Sequence, residues 1–244
     1  MQIKEEQRAA FRACAKKFTG IDHAAYSKFD RDPLEPIIGL GDTSARICFF
    51  GRDPGTDEVR HATPFIGAGG QKIRSALYRY LHRCDMPDFN ASMEIGKLFF
   101  WANTVPYKPV GNKAWSMKVK RNCHHLMADV LLNNWRGSDI IVLGREAFFW
   151  FGIGRSREER AALDEFWQRE DRYTASIEVA LASKDDERLF RLYPLPHPSP
   201  LNATWYKRFP ELLAQRLDQL DVREDNLKCS PDVAQRNPGF TSGA

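Results

Sequence analysis

Short apolar, β-prone runs that end in polar, proline-locked turns narrow the fold of this chain more than any other feature. Ile47-Cys48-Phe49-Phe50 leads into Gly51-Arg52-Asp53-Pro54-Gly55, and Leu189-Phe190-Arg191-Leu192-Tyr193 leads towards His197-Pro198-Ser199-Pro200-Leu201. Such runs read as buried strands with polar side chains on the loops at their ends. A third run spans 97–102 and ends at Asn103, where Pro106, Pro109 and Gly111 forbid regular structure, and a fourth spans 139–143. Helical periodicity separates them over 71–83 and 119–135, and a helix opens after Gly144. The stretches 4–17, 155–172 and 205–220 are also helical by pattern, and 173–182 is expected to pair with the strand before His197 as a hairpin or edge. Strands alternating with helices specify an α/β domain. In such domains, polar turns after separate strands can face one crevice at the carboxyl ends of the sheet.

Bulk properties limit the rest. A chain of 244 residues, 43% hydrophobic and 28% charged, buries one sizeable core, so one domain is expected over 1–222 with a polar tail over 223–244. No apolar stretch approaches a bilayer span, and Lys4-Glu5-Glu6-Gln7-Arg8 lacks a secretory apolar region. A soluble, cytoplasmic, monomeric protein without a membrane partner is the expectation. The five cysteines contain no C-x-x-C pair, which argues against a zinc ribbon and a disulfide framework. His124 and His125 are adjacent on a helix and point apart, so no metal site is expected there. Lys118-Val119-Lys120-Arg121 reads as a solvated or phosphate-near face. A net charge of +4 suits a polyanion but is weaker than a nucleic-acid coat would carry.

Four blocks in order give the chain a resemblance to the uracil-DNA glycosylase superfamily, from about residue 47 to 220. Gly51-Arg52-Asp53-Pro54-Gly55 resembles its first catalytic motif and Thr63-Pro64-Phe65-Ile66-Gly67 its base-stacking segment. Asn103-Thr104-Val105-Pro106 resembles its base-reading strand end, and His197-Pro198-Ser199-Pro200-Leu201 its second catalytic motif. The resemblance implies a three-layer α/β/α sandwich around a mostly parallel four-stranded sheet. It also implies a metal-free enzyme that extrudes a nucleotide from DNA and hydrolyses its N-glycosidic bond.

That chemistry builds positive charge on the sugar and negative charge on the departing base. The resemblance assigns Asp53 to the sugar cation and the attacking water, and His197 to donate a hydrogen bond to the leaving base. Asn103 would read the base edge and Phe65 would stack on it, with Gly51, Arg52 and Gly55 lining the base pocket. Leu201 would enter the vacated duplex position, and Ser199, Pro200, Lys207 and Arg208 would contact the strand.

Departures from the family pattern refine this picture. Gly55 stands where the strictly uracil-specific branch carries a tyrosine, which implies a roomier pocket. Arg52 stands where a branch with an iron-sulfur cluster carries Glu, and a guanidinium there can either tune Asp53 or lock it in a salt bridge. Of that branch's four cysteines, Cys123 matches one, Tyr107 replaces another and Cys14 stands alone, so no cofactor is expected. Two other readings remain open: a non-catalytic nucleic-acid binder of the same fold, and a hydrolase or transferase acting on free nucleosides.

Overall fold

The computed structural model describes residues 3–38, 41–183, 187–199 and 203–223, with 225 and 227. Pro200, Leu201 and most of the expected tail lie outside the described residues.

The chain enters through helices α1 (Glu5–Ala15) and α2 (His23–Lys28) and reaches the first strand, β1 (Ile47–Gly51). Helices α3 (Thr56–His61), α4 (Ala68–His82) and α5 (Phe89–Lys97) precede β2 (Phe100–Asn103). A 3-10 turn at Val110–Asn112 leads to α6 (Met117–Asn133), β3 (Asp139–Leu143), α7 (Arg145–Trp150) and α8 (Arg157–Gln168). The strands β4 (Ile177–Ala182) and β5 (Glu187–Leu195) and helix α9 (Ala203–Gln219) complete the described fold.

The sheet order is β2-β1-β3-β5-β4. The first four strands in that order are parallel, and β4 joins β5 antiparallel at the edge, so five strands form the sheet where four were expected. The fifth is the edge hairpin anticipated over 173–182. Because β1 pairs with β2 on one side and β3 on the other, the crossover direction reverses at β1. That reversal opens a crevice at the carboxyl ends of the strands.

Strict alternation along the strands distributes the core to both faces. Cys48, Phe50, Phe100, Ala102, Ile140 and Val142 pack with Phe11 of α1, Met127 of α6, Phe148 of α7 and Phe166 of α8. Ile47, Phe49, Phe99, Trp101, Ile141 and Leu143 pack with Ile73 and Leu77 of α4 and Phe209 and Leu213 of α9. The period of two thus makes a three-layer sandwich, with apolar side chains on both faces of every inner strand.

Helix ends follow local chemistry. Ser156 and Glu159 form a reciprocal capping box on α8, with backbone-to-side-chain hydrogen bonds of 3.1 and 2.8 Å. The helix expected over 71–83 starts three residues earlier, at Ala68, so that Gly69 and Gly70 lie inside its first turn.

Trp135 ties the sheet to the helix layer. It is fully buried, stacks on Phe100 and Phe190 with ring centroids 5.7 and 5.8 Å apart, and donates from Nε1 to the Ala45 carbonyl at 2.6 Å. Trp135→Ala removes a fully buried ring and leaves a large cavity, so a loss of about 3–5 kcal/mol is expected. Urea unfolding checks this: the midpoint should fall with an unchanged slope.

Candidate active site

The crevice is walled by the segments that leave β1, β2, β3 and β5. Asp53 lies two residues past β1, and its side chain is 1% exposed. The Thr104 hydroxyl, from the end of β2, approaches Asp53 Oδ1 at 3.3 Å, while the Thr104 backbone N–H donates to the Gly51 carbonyl at 2.9 Å. Arg52 Nε lies 3.0 Å from Asp53 Oδ2. This contact is an ion pair without hydrogen-bond alignment, so Oδ2 has no hydrogen-bond partner among the described residues. The guanidinium donates instead, from Nη2 to the Asn112 carbonyl at 2.8 Å.

Burial raises the Asp53 pKa to about 7, against the opposing pull of Arg52, of Lys120 and of the Thr104 hydrogen bond. Arg52 therefore tempers the carboxyl without overcoming its desolvation.

Lys120 is where the structure departs from the sequence reading. Within the expected solvated run, Lys118 and Arg121 are exposed, but Lys120 turns inward, is 3% exposed and pairs with Glu146 of α7. The helical period accounts for this, because Lys120 shares the inner face of α6 with Cys123 and Met127. His124 of the same helix is half-buried. Its ring packs against Trp150 at 4.3 Å, and burial lowers its pKa to about 4.

Asn103 ends β2 opposite Gly51 in the sheet register and is 4% exposed. Its amide makes no hydrogen bond among the described residues. Phe65 reaches the same point from the loop before α4. Its ring carbons lie 2.6 and 2.7 Å from where a Cβ on Gly51 would be, so only glycine fits beneath the ring. Phe65 adopts φ +54° and also packs on Trp101 at 5.2 Å, so it serves both the core and the crevice floor.

His197 follows β5 at the crevice mouth and keeps solvent access. The surrounding protein and the Arg52 guanidinium both disfavour its cation. They lower its pKa below the ordinary 6.5, so the imidazole is neutral at pH 7. Its backbone is crowded by Gly144, which has φ +87° and leaves only 3.0 Å between a built Cβ and His197 Cβ. The Ser199 N–H donates to the His197 carbonyl at 2.8 Å. Lys207 and Arg208 lie on the exposed face of the first turns of α9, and no contact joins them to Asp53 or Asn103 among the described residues.

One residue essential to this geometry escaped the sequence reading. The Glu58 carboxylate accepts from the N–H groups of Ile66 and Gly67 at 3.0 and 2.8 Å through Oε1, and from Gly55 at 2.9 Å through Oε2. It binds the Asp53 loop to the Phe65 loop. A glutamate three residues after Gly55 was the readable signal, because that spacing is half of a capping box.

Cys14 and Cys123 bring their thiols together, with Tyr107 beside them. The Tyr107 hydroxyl donates to the Leu34 carbonyl at 3.2 Å. Two thiols and a phenol do not fit the four-thiolate set of an iron-sulfur cluster. Cys48 lies in β1 and Cys84 follows α4, and Cys229 lies outside the described residues. No group of three or more His, Cys, Asp or Glu side chains gathers for a metal among the described residues. No helix among them is long and apolar enough to cross a membrane.

Folding changes the proton affinity of Asp53, and stability should report it. The unfolded carboxyl ionises near 3.8 and the folded one near 7. The folded state therefore binds more protons between those values, and stability falls as pH rises through that window. Asp53→Asn removes the effect. Its stability gain over wild type should be small at about pH 4 and reach a few kcal/mol by about pH 8, at about 1.4 kcal/mol per pH unit of displaced pKa. Urea unfolding across that range tests this, and a gain independent of pH would show that burial does not keep Asp53 protonated.

The family model described as the Uracil DNA glycosylase superfamily matches residues 38–221. A search of curated proteins finds no match.

Proposed function

Because the chain belongs to the uracil-DNA glycosylase superfamily, a family of DNA glycosylases, we propose that it hydrolyses the N-glycosidic bond of uracil or a related damaged base extruded from DNA. The observation that carries this reading is the buried Asp53 carboxyl, with one oxygen free of hydrogen bonds, at the crevice shared by Asn103, Phe65 and His197.

In the proposed reaction the ionised Asp53 stabilises the sugar cation as the bond to the base lengthens, and orients a water towards the anomeric carbon. The water oxygen forms the new bond, the electron pair of the glycosidic bond leaves with the base, the proton that the water sheds ends on the base anion, and the products are an abasic sugar and a free base. His197 is suited to donate an N–H to the leaving-base oxygen. Its neutrality leaves a directional donor, and a fixed donor of that kind is worth roughly 3 kcal/mol. The Asn103 amide supplies a donor and an acceptor, the complement of a uracil edge, and Phe65 offers a stacking face. Glycine at 55 leaves room beside the base, which extends the reading to bulkier damaged bases. Wedging by Leu201 and strand contacts by Ser199, Pro200, Lys207 and Arg208 belong to the same proposal.

The ion pair with Arg52 supports a second reading, a DNA binder without turnover. Release of free base from oligonucleotides carrying uracil, mismatched thymine or hypoxanthine separates the two. The enzyme reading expects release that Asp53→Asn slows by orders of magnitude with binding retained. His197→Ala should lower the rate by about 10²-fold, with little change in affinity. Salt-sensitive binding with no release from any substrate would favour the binder.

The pH profile follows from the same groups. Catalysis needs Asp53 ionised, so kcat/KM should rise through about pH 7 with a single ionisation. His197 is already neutral in this range and should add no second step there. A profile flat from about pH 5 to 8 would remove Asp53 from the mechanism.

A further inference from the structure

One concavity outside the crevice contains neither Asp53 nor His197. It measures about 730 Å³ and lies between the residues that follow α1 and the N-terminal turn of α6. Lys17, Lys113 and Lys118 line it, with Thr19 and Asn122, and no Asp or Glu does. A second concavity of about 510 Å³ shares Lys17 and Asn122 and adds Arg121 and His125, again without an acid. Lys17, Lys113, Lys118 and Arg121 are exposed, and none has a carboxylate partner among the described residues. In a chain whose net charge is only +4, four unpaired cations without an acid on one face are a local concentration of positive charge.

The walls are fixed. Trp115 is buried, packs on Phe18 at 5.8 Å and donates from Nε1 to the Tyr107 carbonyl at 2.9 Å. The Val110 N–H donates to the Gly20 carbonyl at 2.9 Å, and Ile21 bridges Pro109. The same loop joins the groove to the crevice, because Arg52, whose Nε touches Asp53, donates to the carbonyl of Asn112, next to Lys113.

We propose that this groove binds the phosphodiester backbone of the DNA strand that carries the extruded nucleotide, with Lys17, Lys113 and Lys118 neutralising successive phosphates. The inference rests on the glycosylase reading only for the identity of the polyanion. The lysine ammonium groups act as point charges on phosphate oxygens, and Thr19 and Asn122 can add neutral hydrogen bonds. Such contacts set the register of the strand over Asp53 without reading its sequence. They release counterions, so affinity depends on salt.

The test uses the full chain and an undamaged, labelled single-stranded oligonucleotide, with affinity measured over a series of salt concentrations. Replacing Lys17, Lys113 and Lys118 together with Gln should reduce the slope of log affinity against log salt by about 2, while the triple Arg variant keeps it. Gln at the exposed Lys4, Lys28 and Lys97 is the control and should leave the slope unchanged. An unchanged slope in the groove variant, or absence of salt-dependent binding by the wild type, would overturn the proposal. Base release from the uracil, mismatched-thymine and hypoxanthine oligonucleotides is read in parallel. A reduced slope with no release by the wild type would reject the glycosylase reading and keep the groove. Release with an unaltered slope would reject the groove alone.

Discussion

Three backbone N–H groups converge on the carboxylate of Glu58, and everything above the end of β1 takes its position from that convergence. Two loops that leave the sheet at different points have no regular structure to align them. One buried carboxylate accepting from both makes them a single body. Hydrogen bonds to a charged acceptor are roughly twice as strong as neutral ones, and the donors would be costly to leave unpaired. With the loops joined, Phe65 holds a left-handed backbone conformation and its ring settles over Gly51. Asp53 lies between this body and the β2 end, where Thr104 reaches it.

The electrostatics of the crevice are a contest between solvent exclusion and nearby cations. Burial pushes Asp53 up, Arg52 and Lys120 pull it down, and exclusion is the larger effect. Lys120 is itself committed to Glu146, and Arg52 spends a hydrogen bond on Asn112, so neither cation is fully available to the carboxylate. The guanidinium also disfavours a charged His197. One arginine thereby acts on two groups in complementary directions, favouring the ionised form of the acid and the neutral form of the imidazole.

Much of this architecture was legible in the sequence because it is written in periodicity. The apolar runs at 47–50 and 139–143 became inner strands, and the edge pairing of 173–182 with the strand before His197 was readable from β-prone composition. Short helices escaped. The helices α2, α3 and α5 have 6, 6 and 9 residues, too few turns for a helical repeat to declare itself. Asp53, Asn103 and His197 were legible as strand-end residues, since a turn after a strand is a local signal. The roles of Glu58 and Lys120 depend on which side of a helix meets the crevice. That is fixed by tertiary packing, so a linear reading left one unnoticed and turned the other outward.

The parallel register of the inner strands also bears on the birth of the molecule. Asp53 follows β1, Asn103 ends β2 and His197 follows β5, so the crevice draws on distant parts of the chain. Parallel pairing closes long loops before any contact rewards them, which makes such sheets slow to assemble. A ribosome-bound chain that has not yet emerged through β5 holds the acid and the amide but lacks the imidazole. The wall at Gly144 is then unfinished as well, because its N–H takes the carbonyl of Leu195 as partner. Assembly of the crevice is thus deferred until the whole sheet has been made.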